Sequence, residues 1–239
     1  LEKLHRRMQD YVLKPGEKLR TALPAYRDYL TYSTWFGRKF PVVLDAVVLS
    51  NILSFVNHYD LPWSGADSAA LQLIVHTIIS GDYADRPLAI SPYYGQTAIL
   101  LYHYSRLMEQ KPIPMLDSLR PDLIRTCHNI LSRKHISLME KVITANALIQ
   151  LGEPAPPLAL PAADEWEKQV EQSNFAYFIG NIPSYMPRTA QQLFTRVGAL
   201  MYYHFCPAFN DALVLQYLVS SPGQANVNQG ALAAGTARE

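Results

Sequence analysis

Gln96, His103 and Arg106 recur at i, i+7 and i+10 in the run YYGQTAILLYHYSRLMEQ, so a helix places them on one face, with Gln110 completing it. Arginine grips a phosphate or carboxylate in a bidentate fork, and histidine carries a proton near neutral pH. Lining a lumen, the stripe would hold an anionic head group, with Tyr93 and Tyr94 beside it. The competing reading is a stripe that faces solvent. Asp45 opens the apolar run of residues 42–57 as a lone carboxyl. It either meets the free N–H groups and positive dipole end of that helix, or serves as an acid or ligand contact in a cavity. Asn146 and Gln150 either face a cavity or satisfy backbone groups at a helix contact. The candidate site is therefore Asp45 and His103 as catalytic residues, with Tyr93, Tyr94, Gln96, Arg106 and Asn146 as substrate-binding residues. No metal and no cofactor is implied.

The remaining polar clusters carry less chemistry. His204-Phe205-Cys206 has a ligand-like spacing, yet two ligands do not close a zinc site, and Tyr202, Tyr203, His204 and Cys206 read as core and helix-end packing. Asn210 and Asp211 fall in the first turn of the last helix, and His76 and His128 on outer helices with ordinary packing or surface roles. No G-x-S-x-G, Walker A, G-x-G-x-x-G or H-E-x-x-H run occurs, so hydrolase, NTPase, Rossmann and zincin chemistry have no support.

The elements that must position these residues are helical almost throughout. Residues 2–13 form a short amphipathic helix stopped by Lys14-Pro15-Gly16. Residues 42–57 are apolar nearly all round, the mark of a helix buried on most sides. Asp67 or Ser68 caps a helix running to about Ser80. Ser91 followed by Pro92 predicts a helix start, with the helix running to about Gln110. Pro121-Asp122 opens another through about Ser132, and Ser137 to Glu140 reads as a capping box for a helix closed by Gly152 and Pro154. Residues 153–163 are a proline-rich loop, 164–172 a short charged helix, NFAYFIGN an aromatic stretch, and 188–204 and 207–219 two final helices. Alternating strand patterns are almost missing, so the class is all-α. Apolar helices at 42–57, 92–109, 137–151 and 207–219 alternate with shorter or more polar ones, which predicts stacked α-hairpins with a unit of roughly 45–50 residues.

Composition sets the class of partner. Of 239 residues 49% are apolar and 17% charged, enough to bury a sizeable core, and the net charge of +1 offers no field to nucleic acid or an acidic membrane. Cys127 and Cys206, far apart, make no disulfide framework and are expected as reduced, buried thiols. The most apolar stretch, Phe40 to Val56, is shorter than the ~20 residues a membrane helix needs and carries Asp45 and Asn51, so no span is expected. The opening Leu1-Glu2-Lys3 lacks a basic and apolar leader, which gives a cytoplasmic expectation, although the chain begins without Met. The predicted organisation is an N-terminal helix and linker over 1–33, a helical domain over 34–220 and a flexible tail over 221–239.

Three segments, VVLDAVVLSNILSFV, SPYYGQTAILLYHYSRLM and CPAFNDALVLQYL, resemble inner helices of the α/α-toroid superfamily, which holds terpenoid cyclases, squalene–hopene cyclases and the β subunits of protein prenyltransferases. The resemblance covers about 35–220 and implies a ring of helical hairpins around an aromatic cavity for isoprenoid chains. The chain departs from that family at its motifs. Val43-Leu44-Asp45-Ala46 stands where class II cyclases have D-x-D-D, and no D-D-x-x-D run, zinc set or tryptophan-and-glutamine repeat is present. About four hairpins are visible, against six in a closed ring, so the expectation is a partial α/α toroid, either left open or closed by a second copy, another protein or a missing segment. Two functions follow. One is an isoprenoid cyclase or transferase, or a subunit of one. The other is a non-catalytic helical-repeat module that binds an apolar ligand or a protein.

Overall fold

Three of the long helices begin on a side chain that satisfies their free N–H groups. Asp45 caps α2 (Ala46–His58) by accepting from the amides of Val47 and Val48. Ser64 caps α3 (Gly65–Ile79) in a capping box with Asp67, and Ser137 caps α9 (Leu138–Gln150) by accepting from Glu140. The computed structural model describes residues 1–16, 23–36, 43–161, 165–166, 168–169 and 175–221. Within them α1 (Glu2–Met8) and 3-10 turns at Gln9–Tyr11 and Pro24–Tyr26 precede α2 and α3. The short helices α4 (Asp82–Asp85) and α5 (Pro87–Ile90) lead into α6 (Thr97–Gln110), followed by α7 (Pro114–Asp117), α8 (Arg120–Leu131) and α9. Then come β1 (Phe178–Asn181), a 3-10 turn at Ile182–Tyr185, α10 (Arg188–Arg196), β2 (Met201–His204) and α11 (Pro207–Ser220).

Packing follows the apolar pattern. α2 lies against α6, α6 against α9, and α9 against α11, which makes one row of inner helices. α3 packs on α2, and α8 on α9 and α6. The row supplies nearly half of the core: Val47, Leu53, Ile99, Leu100, Leu101, Val142, Ile143 and Leu148 are closed to solvent. Each such side chain stabilises the fold by about 1.5–3 kcal/mol relative to exposure, before ordering entropy is subtracted. The chain is mostly helical, as the periodicity predicts. No helix among the described residues is long and apolar enough to cross a membrane.

The structure corrects the predicted elements in four places. The helix expected from Ser91-Pro92 starts at Thr97, because Ser91 and Tyr93 are tied to Asp45 and residues 91–96 run non-helically. The helix expected over 188–204 ends at Arg196. Gly198 turns the chain with φ 66°, and residues 201–204 pair antiparallel with β1, Phe178 opposite His204. The helix expected to start on Asp67 or Ser68 starts one turn earlier, on Ser64. Cys127 is buried as expected, its thiol pushed up to about 12 by burial, but Cys206 is exposed just ahead of α11. Of the charged helix predicted at 164–172, residues 165, 166, 168 and 169 are described and helical. The tail predicted over 221–239 lies outside the described residues beyond Ser221.

The N-terminal helix is anchored by a buried polar cluster that no local spacing announces. His5 reaches Asp67 Oδ2 at 3.0 Å, and the Tyr32 hydroxyl donates to Asp67 Oδ1 at 2.8 Å. The amide and hydroxyl of Ser64 also donate to Asp67 Oδ2, so one buried carboxylate joins α1, residue 32 and the start of α3. Serine, histidine and aspartate are all present, yet the aspartate sits between the other two and the serine hydroxyl is spent on it. That order provides structure and not an activated nucleophile, which needs a base on its hydroxyl.

Candidate functional site

Asp45, at the end of the row, is wholly buried and accepts four hydrogen bonds. The Ser91 hydroxyl donates to Oδ1 at 2.5 Å, the Tyr93 amide to Oδ2 at 3.2 Å, and the amides of Val47 and Val48 to Oδ1 at 3.0 and 3.4 Å. Burial lifts its pKa to about 6, while the four hydrogen bonds pull the other way. The residue caps the helix, and its burial pushes the carboxyl above its usual range. Its charge also raises Tyr94, after burial, which places that phenol within electrostatic reach.

His103 lies one helix over, buried and fixed at both ring nitrogens. Asn51 Oδ1 stands 3.1 Å from Nδ1 and the Tyr177 hydroxyl 2.6 Å from Nε2. An amide oxygen only accepts, so Nδ1 carries the proton and Nε2 accepts from the tyrosine. Burial, and then the positive charge of Arg106, hold the ring's pKa down at about 3. It is a neutral hydrogen-bond bridge across the ordinary pH range. Arg106 donates to the same Asn51 Oδ1, and its guanidinium lies 6.0 Å from the Tyr102 ring centroid. Its Nε is buried with no hydrogen-bond partner, and no carboxylate among the described residues pairs with it.

The polar stripe predicted on α6 is real, and residues 176 and 177 cover part of it. Gln96 Nε2 donates to the Ala176 carbonyl at 2.7 Å, and His103 takes Tyr177. Tyr177 packs its ring 4.0 Å from Phe209 and 5.4 Å from Tyr94, and Phe178 lies 5.6 Å from Tyr94, so these four rings form one aromatic cluster. Tyr93 belongs to its edge: its ring stacks on Phe178 and its hydroxyl meets that of Tyr185 at 2.6 Å and the Trp35 indole N–H at 3.2 Å. Asn146 is placed elsewhere, donating to the Leu213 carbonyl of α11 at 2.8 Å, and Gln150 accepts from Ser105 at 2.6 Å. Asn146 therefore ties two inner helices together. The structure brings Asp45, Tyr93, Tyr94, Gln96, His103 and Arg106 to one seam and leaves Asn146 outside it.

Asn51 and Tyr177 are the seam residues that the spacing argument passes over. A lone amide in the apolar run VVLSNILSFV and the aromatic stretch NFAYFIGN were the available signals. Among the described residues no group of three or more His, Cys, Asp or Glu side chains could hold a metal ion, and His204 and Cys206 are both exposed.

Gly95 joins this seam to the α5 turn. A Cβ there would stand 2.8 Å from the Leu88 Cα and 2.4 Å from its Cδ2, a clash with backbone that rotamer change cannot relieve. Gly95→Ala is expected to destabilise the protein by roughly 1–3 kcal/mol, the usual range for overpacking. Urea unfolding checks it, and an unchanged midpoint would mean that the 87–95 contact is looser than it stands here. Compared with known proteins, the chain matches no family model, no curated protein and no solved structure, so its chemistry is read from these side chains alone.

Proposed function

We propose that the chain is a non-catalytic helical-repeat module that binds an apolar ligand, isoprenoid or similar, by an anionic head group at Arg106. The observation that carries this reading is the guanidinium itself: partly buried, without an acidic partner among the described residues, with an unmatched Nε, and set among Tyr102, Asn51, His103 and Tyr177. A cation held in such surroundings is stabilised by an incoming anion, and arginine favours phosphate and carboxylate geometry.

Catalysis has weaker support. Asp45 is wholly buried and accepts four hydrogen bonds from the chain, and both nitrogens of His103 are engaged, whereas a general acid or base must reach a substrate proton. One observation favours the cyclase or transferase reading, the lift of Asp45 to about 6 beside Tyr94, since a carboxyl shifted towards neutrality is one that can donate a proton. Binding and turnover of geranyl and farnesyl diphosphate separate the two. The module reading expects a 1:1 complex, about tenfold weaker in Arg106→Gln, and no product. Product formation that Asp45→Asn abolishes would replace it by the enzyme reading. A complex indifferent to Arg106→Gln would remove the head-group site. Closure of the row into a partial ring belongs to the same proposal, with a second copy or another protein at its open end.

A further inference from the structure

A groove of about 740 Å³ lies away from the α6 stripe, between the Pro24–Tyr26 turn, the α4–α5 segment and α10. Its wall brings Arg27, Arg86 and Arg196 together from three distant parts of the chain, against a single acidic lining residue, Asp85. Asp82 pairs with Arg86 and Asp85 lines the wall, so three arginines against two aspartates leave the groove one net positive charge. Amides and a hydroxyl from Asn181, Gln191, Gln192 and Thr195 add neutral hydrogen-bonding groups, and Leu23, Pro24, Pro87 and Leu88 add apolar surface.

The arginine at the centre is a built feature. Asp82, buried behind it, accepts from Arg86 Nε at 2.8 Å and from its Nη2, and is itself held by the Tyr26 hydroxyl at 2.7 Å. Those bonds engage one edge of a five-donor guanidinium and fix its plane, leaving its other edge for a ligand. Arg196 stands exposed in the last turn of α10, facing the same groove.

We infer that this groove is a second binding site, for an organic polyanion: a phosphate ester or polycarboxylate whose charged end is gripped by Arg86 and Arg196 and whose apolar part lies on Leu23, Pro24 and Leu88. A groove of this volume is in the range that encloses a drug-sized molecule. The site shares no lining residue with the α6 stripe, so it stands or falls separately from the ligand at Arg106.

Phenyl phosphate tests it, with benzylamine and benzyl alcohol as cationic and neutral controls of the same shape. Isothermal titration of the full chain is expected to show one phenyl phosphate bound, with neither control binding. Affinity should fall about tenfold in Arg196→Glu, because one charge-assisted contact is lost and reversed. Arg196 is exposed, and an unchanged melting temperature will confirm that the variant folds. Equal affinity for benzylamine, no binding of phenyl phosphate, or full affinity in Arg196→Glu would each overturn the site. Binding that Arg106→Gln removes and Arg196→Glu leaves intact would also overturn it, while supporting the head-group site on α6.

Discussion

Asp45→Ala is expected to lower the unfolding free energy by about 3–5 kcal/mol, read from urea melts near pH 7.5. The substitution removes the cap of α2 and leaves the Ser91 hydroxyl and the Tyr93 amide without an acceptor inside the protein. A lost cap costs about 0.5–2 kcal/mol and each of the two buried unsatisfied donors about 1–3, and the lower part of that combined span is expected because alanine also removes a buried charge. Asp45→Asn should fall between wild type and alanine. Its amide oxygen keeps the cap, while its N–H2 group faces the Tyr93 N–H, a donor against a donor. A residue retained for proton donation alone would behave differently, with stability intact in Asp45→Asn and only turnover lost. An alanine variant within 1 kcal/mol of wild type would show that the four hydrogen bonds contribute little, and would return Asp45 to the catalytic reading.

That same carboxylate shows why the fold was legible in part. The helix starts at Leu138 and Pro207 and the stop at Gly152 depend on neighbours within four residues, and those signals are present locally in the sequence, whereas the run expected to be helical from residue 42 starts at Ala46 on the Asp45 cap. Ser91-Pro92 carries the same kind of signal, yet the serine hydroxyl is drawn 46 residues away to Asp45, and the helix starts five residues late. Tertiary contact overrides a start signal when the distant acceptor is charged and buried. The strand pair fails for the related reason that its pairing is non-local. Phe178 to Asn181 finds its register only in Met201 to His204, and the aromatic runs on both sides carry no alternation to announce it.

The site divides along the same line. Gln96, His103 and Arg106 were readable as one face because helical spacing is a local property, and the structure does gather them. What covers that face was not readable, because Ala176 and Tyr177 lie some 70–80 residues further on. Asn146 was misplaced by the reverse error: an amide on an apolar inner helix satisfies the backbone of the next helix as readily as it faces a lumen. The arginine groove draws its lining from residues 23–27, 85–89, 181 and 191–196, and three single arginines so dispersed leave no motif.

Acidification gives the sharpest view of His103. Its folded pKa of about 3 lies below the ordinary 6.5, so its contribution to stability is complete above pH 6.5 and is lost as the pH falls toward 3. Between pH 7 and pH 4 the loss is about 3 kcal/mol, since the native state refuses a proton that the unfolded chain accepts. Asp45 runs in the opposite sense: raised from 3.8 to about 6, it favours the fold below pH 3.8 and withdraws that contribution as the pH rises toward 6. Because the two oppose each other, the variant His103→Gln isolates the first. Glutamine keeps a donor for Asn51 and an acceptor for Tyr177 and has no charge to gain. Urea unfolding at pH 7 and pH 4 should show a drop about 3 kcal/mol larger in wild type than in His103→Gln. Equal drops would mean that the ring protonates in place, which requires water or an anion beside it. A histidine able to take a proton there could then serve the acid–base chemistry that the neutral bridge excludes.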